Sequence, residues 1–205
     1  MTFDPILDAV GRYYTERVRE FGTTARGVDW NSEESQELRF IQLARLLPPE
    51  PFSVVDYGCG YGALVDFLER QGTDFGYQGF DISEEMVKRA AQAHSGGRRR
   101  FTTSYRELEP ADYAVASGVF NVKLDTSAEG WADYVLHTIE SLDGLGRTGF
   151  AFNMLTSYSD PERMRAELYY ADPCAMFDHC KRSFSRQVAL LHDYGLYEFT
   201  ILVRK

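Results

Sequence analysis

Cysteine is scarce in this 205-residue chain: Cys59, Cys174 and Cys180 are the only three. An odd set without a C-x-x-C pair supports neither a disulfide framework nor a zinc site, and points to a reducing, cytoplasmic compartment. Basic residues are short as well. Against 31 Asp and Glu stand 22 Lys and Arg, a net charge of −9. That balance disfavours a nucleic-acid partner, because a phosphate backbone needs a basic face. The one basic run, Arg98-Arg99-Arg100, reads as a solvated strand edge. No apolar run reaches the ~18 residues of a membrane span, so no membrane partner is expected. The start, M-T-F-D-P-I-L-D, lacks the basic and apolar regions of a signal peptide. Internal repeats and low-complexity tracts are missing too. What is left is a globular composition, long enough to bury roughly two-thirds of its unfolded surface in one domain.

The positive signals begin with helical periodicity. Ile6, Leu7, Val10, Tyr13, Tyr14, Val18 and Phe21 follow helical spacing after an Asp4-Pro5 start. A second helix is expected from Asn31-Ser32, with Glu34 closing a capping box on Asn31. Its apolar stripe would be Leu38, Ile41, Ala44 and Leu47, up to the stop at Pro48-Pro49-Glu50-Pro51. Residues 1–50 therefore read as an N-terminal helical extension or lid, and 51–205 as the main domain. From residue 52 strands alternate with helices. Strands are expected at 52–57, 76–81, 99–103, 112–119 and 148–155, with helices near 61–71, 84–94 and 128–142. This is the βαβ pattern of a parallel sheet covered on both faces. Asp172-Pro173 reads as one more helix start. Residues 187–192 and 196–203 flank Asp193-Tyr194-Gly195, a hairpin that adds an antiparallel pair.

The most informative stretch is V-V-D-Y-G-C-G-Y-G, Val54 to Gly62. An apolar strand runs into a helix through glycines at alternate positions. Gly58 and Gly60 let the backbone turn sharply and let a ligand approach main-chain N–H groups. The helix start behind them favours an anionic group. A dinucleotide fingerprint would read G-x-G-x-x-G; here the spacing is G-x-G-x-G, led by Asp56. Asp81 follows at the end of the second strand, 19 residues after Gly62, where a carboxylate can take both hydroxyls of a ribose.

D-Y-G-C-G-Y-G resembles motif I of the class I S-adenosylmethionine (SAM)-dependent methyltransferases, and Asp81 resembles their second acidic mark. The likeness covers roughly residues 50–205. It implies a three-layer, Rossmann-like α/β fold: a seven-stranded, mainly parallel sheet in the order 3-2-1-4-5-7-6. It also implies SAM as donor and S-adenosylhomocysteine (SAH) as product. Carried over residue by residue, Gly58, Gly60 and Gly62 would line the methionine part, with Cys59 a small residue among them. Asp56 would meet the amino group. Asp81 would hold the ribose, Ile82 would flank the adenine, and Ser104 or Tyr105 would lie beside it. Ser117, Gly118 and Val119 would end the fourth strand beside the methyl group, followed by Phe120 and Asn121.

Missing motifs narrow the acceptor. The N/D-P-P-Y run of base-amine methylation is replaced by S-G-V-F-N-V, and Pro173-Cys174 stands at a helix start, not after the fourth strand. Asp125 and Asn153 do not complete a metal site, so no metal is expected. SAM is already activated, so a base is needed only where the nucleophile begins protonated. His192, at the end of the sixth strand before the hairpin turn, is the catalytic candidate. His94, before Ser95-Gly96-Gly97, is expected to be exposed, and His137 to lie at a core edge or on the surface. The aromatic residues Tyr14, Trp30, Tyr158 and Tyr170, with Phe120, Asn121 and Asn153, are candidates for lid and substrate walls. The reading is methyl transfer to a small molecule, with O-methylation ahead of N- or S-methylation. A protein or RNA methyltransferase, and a SAM-binding protein without catalysis, stay open; an oxidoreductase fits the glycine spacing least. Nothing in the chain indicates its oligomeric state.

Overall fold

The computed structural model describes residues 3–94 and 96–205. Met1 and Thr2, from the start read above, and Ser95, after His94, lie outside the described residues. The chain opens with two helices, α1 (Asp4–Phe21) and α2 (Glu33–Ala44), joined through a 3-10 turn at Ala25–Val28. Pro5 lies in the first turn of α1, where its missing N–H costs nothing. The cap of α2 is Ser32: its Oγ accepts from the Ser35 N–H at 3.2 Å, and Ser35 Oγ accepts from the Ser32 N–H at 3.3 Å. The capping box thus stands one residue later than the expected Asn31–Glu34 pair. The buried face of α2 is turned as well. Arg39, Phe40 and Leu43 are buried, whereas Ile41, expected in the stripe, is exposed. An acid in the interior, Glu198, draws Arg39 inward and sets that rotation.

The sheet follows with β1 (Phe52–Tyr57), β2 (Phe75–Phe80), β3 (Arg99–Thr102), β4 (Ala111–Ala116), β5 (Gly146–Leu155), β6 (Gln187–Leu191) and β7 (Glu198–Arg204). Between them lie α3 (Ala63–Arg70), α4 (Glu84–Ala93), α5 (Ala128–Leu145) and α6 (Pro173–Ser183). The strand order is β3-β2-β1-β4-β5-β7-β6. The first five are parallel, and β7 runs antiparallel to both β5 and β6. Side chains alternate between faces with the period of two of a strand. Val55, Ala114, Phe150 and Phe152 pack with Trp131, Val135 and Ile139 of α5 on one side. Val54, Val115, Ala151 and Leu202 pack with Phe40, Leu43, Leu64 and Leu68 of α2 and α3 on the other. Asp172 caps α6, accepting from the Cys174 N–H at 2.8 Å, and Cys174 itself is exposed. Among the described residues no helix is long and apolar enough to cross a membrane.

The chain leaves β1 toward β2 and β3, then returns to β4 on the other side of β1. The connections from the carboxyl ends of β1 and β4 therefore part in opposite directions and leave a crevice, the usual ligand position of such sheets.

Candidate active site

The crevice is floored by the glycine loop. Its Gly58 and Cys59 N–H groups donate to Phe80 O at 2.7 and 2.9 Å, which ties it to the end of β2. Gly58 has φ +81°, and a Cβ there would fall 2.4 Å from Val119 Cγ2. Only glycine lets the loop pass the β4 end so closely. Gly62 caps α3, and the space beside it is filled by His94. His94 is consequently buried, also against Phe101, and not exposed as its Gly-rich flank suggests.

Two carboxylates stand at the loop. Asp81 accepts from the Gly60 N–H at 2.9 Å and from the Ser83 N–H at 2.8 Å. Burial raises its pKa to about 6, against the pull of these two bonds. Asp56, on the α3 side of β1, accepts from the Tyr77 hydroxyl at 2.6 Å. Burial raises it to about 7, and the Tyr77 bond holds it down. Cys59 is buried and its thiol is pushed well up, so it fills space and is no nucleophile.

Three adjoining hollows, each open to solvent, surround these groups. The first is walled on the sheet side by Gly58, Gly60, Asp81, Ile82 and Ser117 to Val119. Its other wall comes from the N-terminal segment: Leu7, Val10, Tyr14, Val28 and Trp30. The second, narrow one reaches Asp56, Cys59, Tyr61 and Gln36. The third is bordered by Tyr14, Asp29 to Asn31, Arg39, Asn121, Val122, Leu155, Arg165, Leu168 and Glu198. Val28 and Trp30 border all three.

Trp30 has two close neighbours. A Cβ on Gly118, whose φ is +74°, would fall 2.4 Å from the indole ring. The Arg39 guanidinium stands over the ring, 3.8 Å from its centroid. Arg39 grips Glu198 with two bonds, Nε to Oε2 at 2.9 Å and Nη2 to Oε1 at 2.7 Å. Asn121 Nδ2 also donates to Glu198 at 3.4 Å, and Asn121 Oδ1 accepts from the Leu155 N–H at 3.1 Å. Asn153 Oδ1 accepts from the Gly118 N–H at 2.7 Å. One buried network thus joins α2 to the ends of β4, β5 and β7.

The candidates from the sequence are not all gathered here. Asp56, Gly58, Cys59, Gly60, Asp81, Ile82, Ser117, Gly118, Val119, Tyr14, Trp30 and Asn121 border the hollows. Phe120 is fully buried beneath them against Phe152, and Asn153 lies behind Gly118. Ser104 donates its N–H to Thr102 Oγ1 and does not border them. Tyr158 is 70 % exposed, and the Tyr170 hydroxyl accepts from the Arg165 N–H. His192 sits on the ligand edge of the sheet but two strands beyond β5, against Tyr158 and Phe199. Sequence reading missed Tyr77, Arg39, Glu198 and Arg165. The signal for the ion pair was available: an Arg between Leu38 and Phe40, and an acid opening the apolar run Phe199 to Val203.

The fold has close relatives in shape. A magnesium protoporphyrin IX methyltransferase from Synechocystis PCC 6803, solved with bound SAH, matches with a TM-score of 0.67 at 18 % identity, over 97 % of this chain and 99 % of that one. A complex of DhpI with SAM and HEP matches with a TM-score of 0.68 at 13 % identity, over the full length of both chains. A family model described as a methyltransferase domain covers residues 32–197. The chain belongs to the class I SAM-dependent methyltransferases. A protein of Mycobacterium tuberculosis named for methyltransferase activity, Rv1506c, is 54 % identical over 76 % of this chain and 95 % of its own length. A malonyl-[acyl-carrier protein] O-methyltransferase of Pseudescherichia vulneris is 27 % identical over 71 % of this chain and 56 % of its own. The methyl donor of this enzyme is SAM. The residues suit it: a glycine cradle, two carboxylates for a cationic and polyhydroxyl ligand, and Ser117 Oγ, which is buried without a partner on the wall between the first two hollows.

Proposed function

We propose that this methyltransferase acts on an oxygen of a small-molecule acceptor, held in the third hollow while the donor fills the first two. The carrying observation is the shared wall. Tyr14, Val28 and Trp30 border both the first hollow and the third, so ligands in the two would meet at the end of β4. Asp81 takes the ribose hydroxyls, Ile82 flanks the adenine, and Asp56 and Ser117 receive the ammonium of the methionine tail. SAM supplies a methyl group already activated on a sulfonium, and the task left to the protein is alignment. Gly118 and Val119 fix the near side of that alignment, and Trp30, braced by Arg39, fixes the far side. Residues 1–50 serve as the cover that keeps water from the reacting atoms. An oxygen acceptor is supported by the Pseudescherichia relative, which is named as an O-methyltransferase. A small acceptor is supported by the protoporphyrin enzyme of matching shape.

Calorimetric titration tests the donor half: SAM and SAH bind and NAD does not. Asp81→Asn weakens SAM binding about 10- to 100-fold, the equivalent of about 1.5–3 kcal/mol for hydrogen bonds to a charged group. Methyl-labelled SAM tests the acceptor half, with label expected in small molecules and not in protein or RNA. An absence of heat with both sulfur ligands overturns the reading.

A further inference from the structure

We propose that the acceptor is a carboxylic acid, bound as its carboxylate and methylated to the ester, with Arg165 as the cation that selects it. This rests on the oxygen-acceptor reading above and deepens it. The starting point is what the ionisable groups around the hollows already do. Asp29 accepts from the Tyr13 hydroxyl at 2.8 Å and from Arg17 Nη2 at 2.8 Å. Glu198 is gripped by Arg39. Asp81 is bonded to two backbone N–H groups, and Asp56 faces the second hollow, away from the acceptor, under Tyr77. Burial pushes the Tyr14 phenol well up, so it stays protonated.

Each carboxylate that borders the hollows is thus already bonded within the protein or assigned to the donor, and Glu167 is paired with Arg165. The histidines stand elsewhere: His94 against Gly62, His137 against Phe3, His179 against Phe184 and His192 against Tyr158. An alcohol, a phenol or an ammonium group would have to shed a proton here with nothing placed to take it. A carboxylate arrives without one, since its ordinary pKa lies near 4.

The charges select the same class. Glu198 cancels Arg39, and Asp29 cancels Arg17. Arg165 borders the third hollow with a half-exposed guanidinium, and Glu167 stands 3.4 Å from its Nε. Its backbone is anchored: the Arg165 N–H donates to the Tyr170 hydroxyl at 3.0 Å, and the Lys123 and Leu124 N–H groups both donate to Glu167 O at 3.0 Å. A planar guanidinium fork matches a carboxylate in shape, and an acceptor carboxylate would compete with Glu167, whose contact with Arg165 is solvent-exposed and therefore weak.

The step balances without a proton. A carboxylate oxygen uses a lone pair to bond the methyl carbon, and the carbon–sulfur bond breaks with its electron pair left on sulfur. A sulfonium and a carboxylate are consumed, and a neutral thioether and a neutral ester remain. Apolar walls such as Val28, Trp30, Val122, Leu155 and Leu168 favour a reaction in which opposite charges cancel, because separated ions are costly in a low dielectric.

The test uses the SAH-loaded protein, titrated with benzoate and with benzamide, its uncharged counterpart. Benzoate is expected to bind about tenfold or more tightly, the size of a charge-assisted bond. Arg165→Gln removes that preference, Arg165→Lys keeps part of it, and neither changes the affinity for SAH. Equal affinity for the two probes, binding of neither, or an unchanged preference in Arg165→Gln overturns the proposal. A protein that binds neither SAM nor SAH fails earlier, at the donor, and takes the underlying reading down with it.

Discussion

The two proposed halves of the site are built in different ways. The sheet side of the donor half comes from three short stretches, residues 56–62, 81–83 and 117–119, each at the end of a parallel strand, and only its cover comes from the N-terminal segment. The acceptor half is assembled from α1, α2, the 3-10 turn, the β7 start and the loop after β5. Arg39 and Glu198 alone are 159 residues apart in sequence. The sheet side of the donor half depends on backbone shape, which neighbouring residues dictate. The acceptor half depends on side chains that meet only after the whole sheet has formed. A chain can therefore keep its donor chemistry while its acceptor walls change.

The hardest blow to that contrast is Arg39→Ala. It leaves Glu198 buried, 1 % exposed and without its cation, a loss of about 3–5 kcal/mol. In a chain of this size the melting temperature should fall by roughly 6–20 °C. Replacing both partners, by Met and Leu, should restore most of the stability but not the position of Trp30. Thermal melts with and without SAH would show it; a single variant as stable as the parent would mean that the halves are not joined through this pair.

Next in size is Asp56→Asn, which separates stability from binding within the donor half. The Asp56 carboxyl is raised from its ordinary range to about 7, so the fold prefers it protonated. Its contribution to stability is full below about pH 4 and is lost as the pH rises through about 7. Without ligand, Asp56→Asn should melt above the parent at pH 8 and with it near pH 4. SAM affinity should behave oppositely, rising with pH through the same range in the parent and falling at least tenfold in the variant at pH 8 if the carboxylate meets the ammonium. A variant that melts lower at pH 8 would refute the burial cost.

The smallest effect is expected from His192→Ala. This residue lies beyond both halves, and turnover and stability should stay within about 0.5 kcal/mol, or about twofold. A tenfold loss of turnover at unchanged SAM affinity would extend the acceptor half to the β6 edge.

The same contrast explains what could be read from the sequence. The strands, the hairpin and the glycine loop were legible because period-two apolar runs and glycines act locally, whereas the sheet order came from the family resemblance. Gly58 and Asp81 carried their meaning in the chain itself. The rotation of α2 was not legible, since Leu38 and Ile41 fit a helical stripe as well as Phe40 and Leu43 do. What decided it was Glu198, distant in sequence and silent until β7 pairs with β5. The burial of His94 was hidden for a similar reason: its partner is the absent side chain of Gly62.

Trp30 touches all three hollows, and only one other tryptophan exists in the chain. That other one, Trp131, is sealed in the core with its Nε1–H bonded to Phe120 O. The enzyme thus carries its own optical gauge. Any shift in its emission when ligands enter would come from one indole, and the same band could time the filling of each compartment in turn, without a label and before the acceptor has a name.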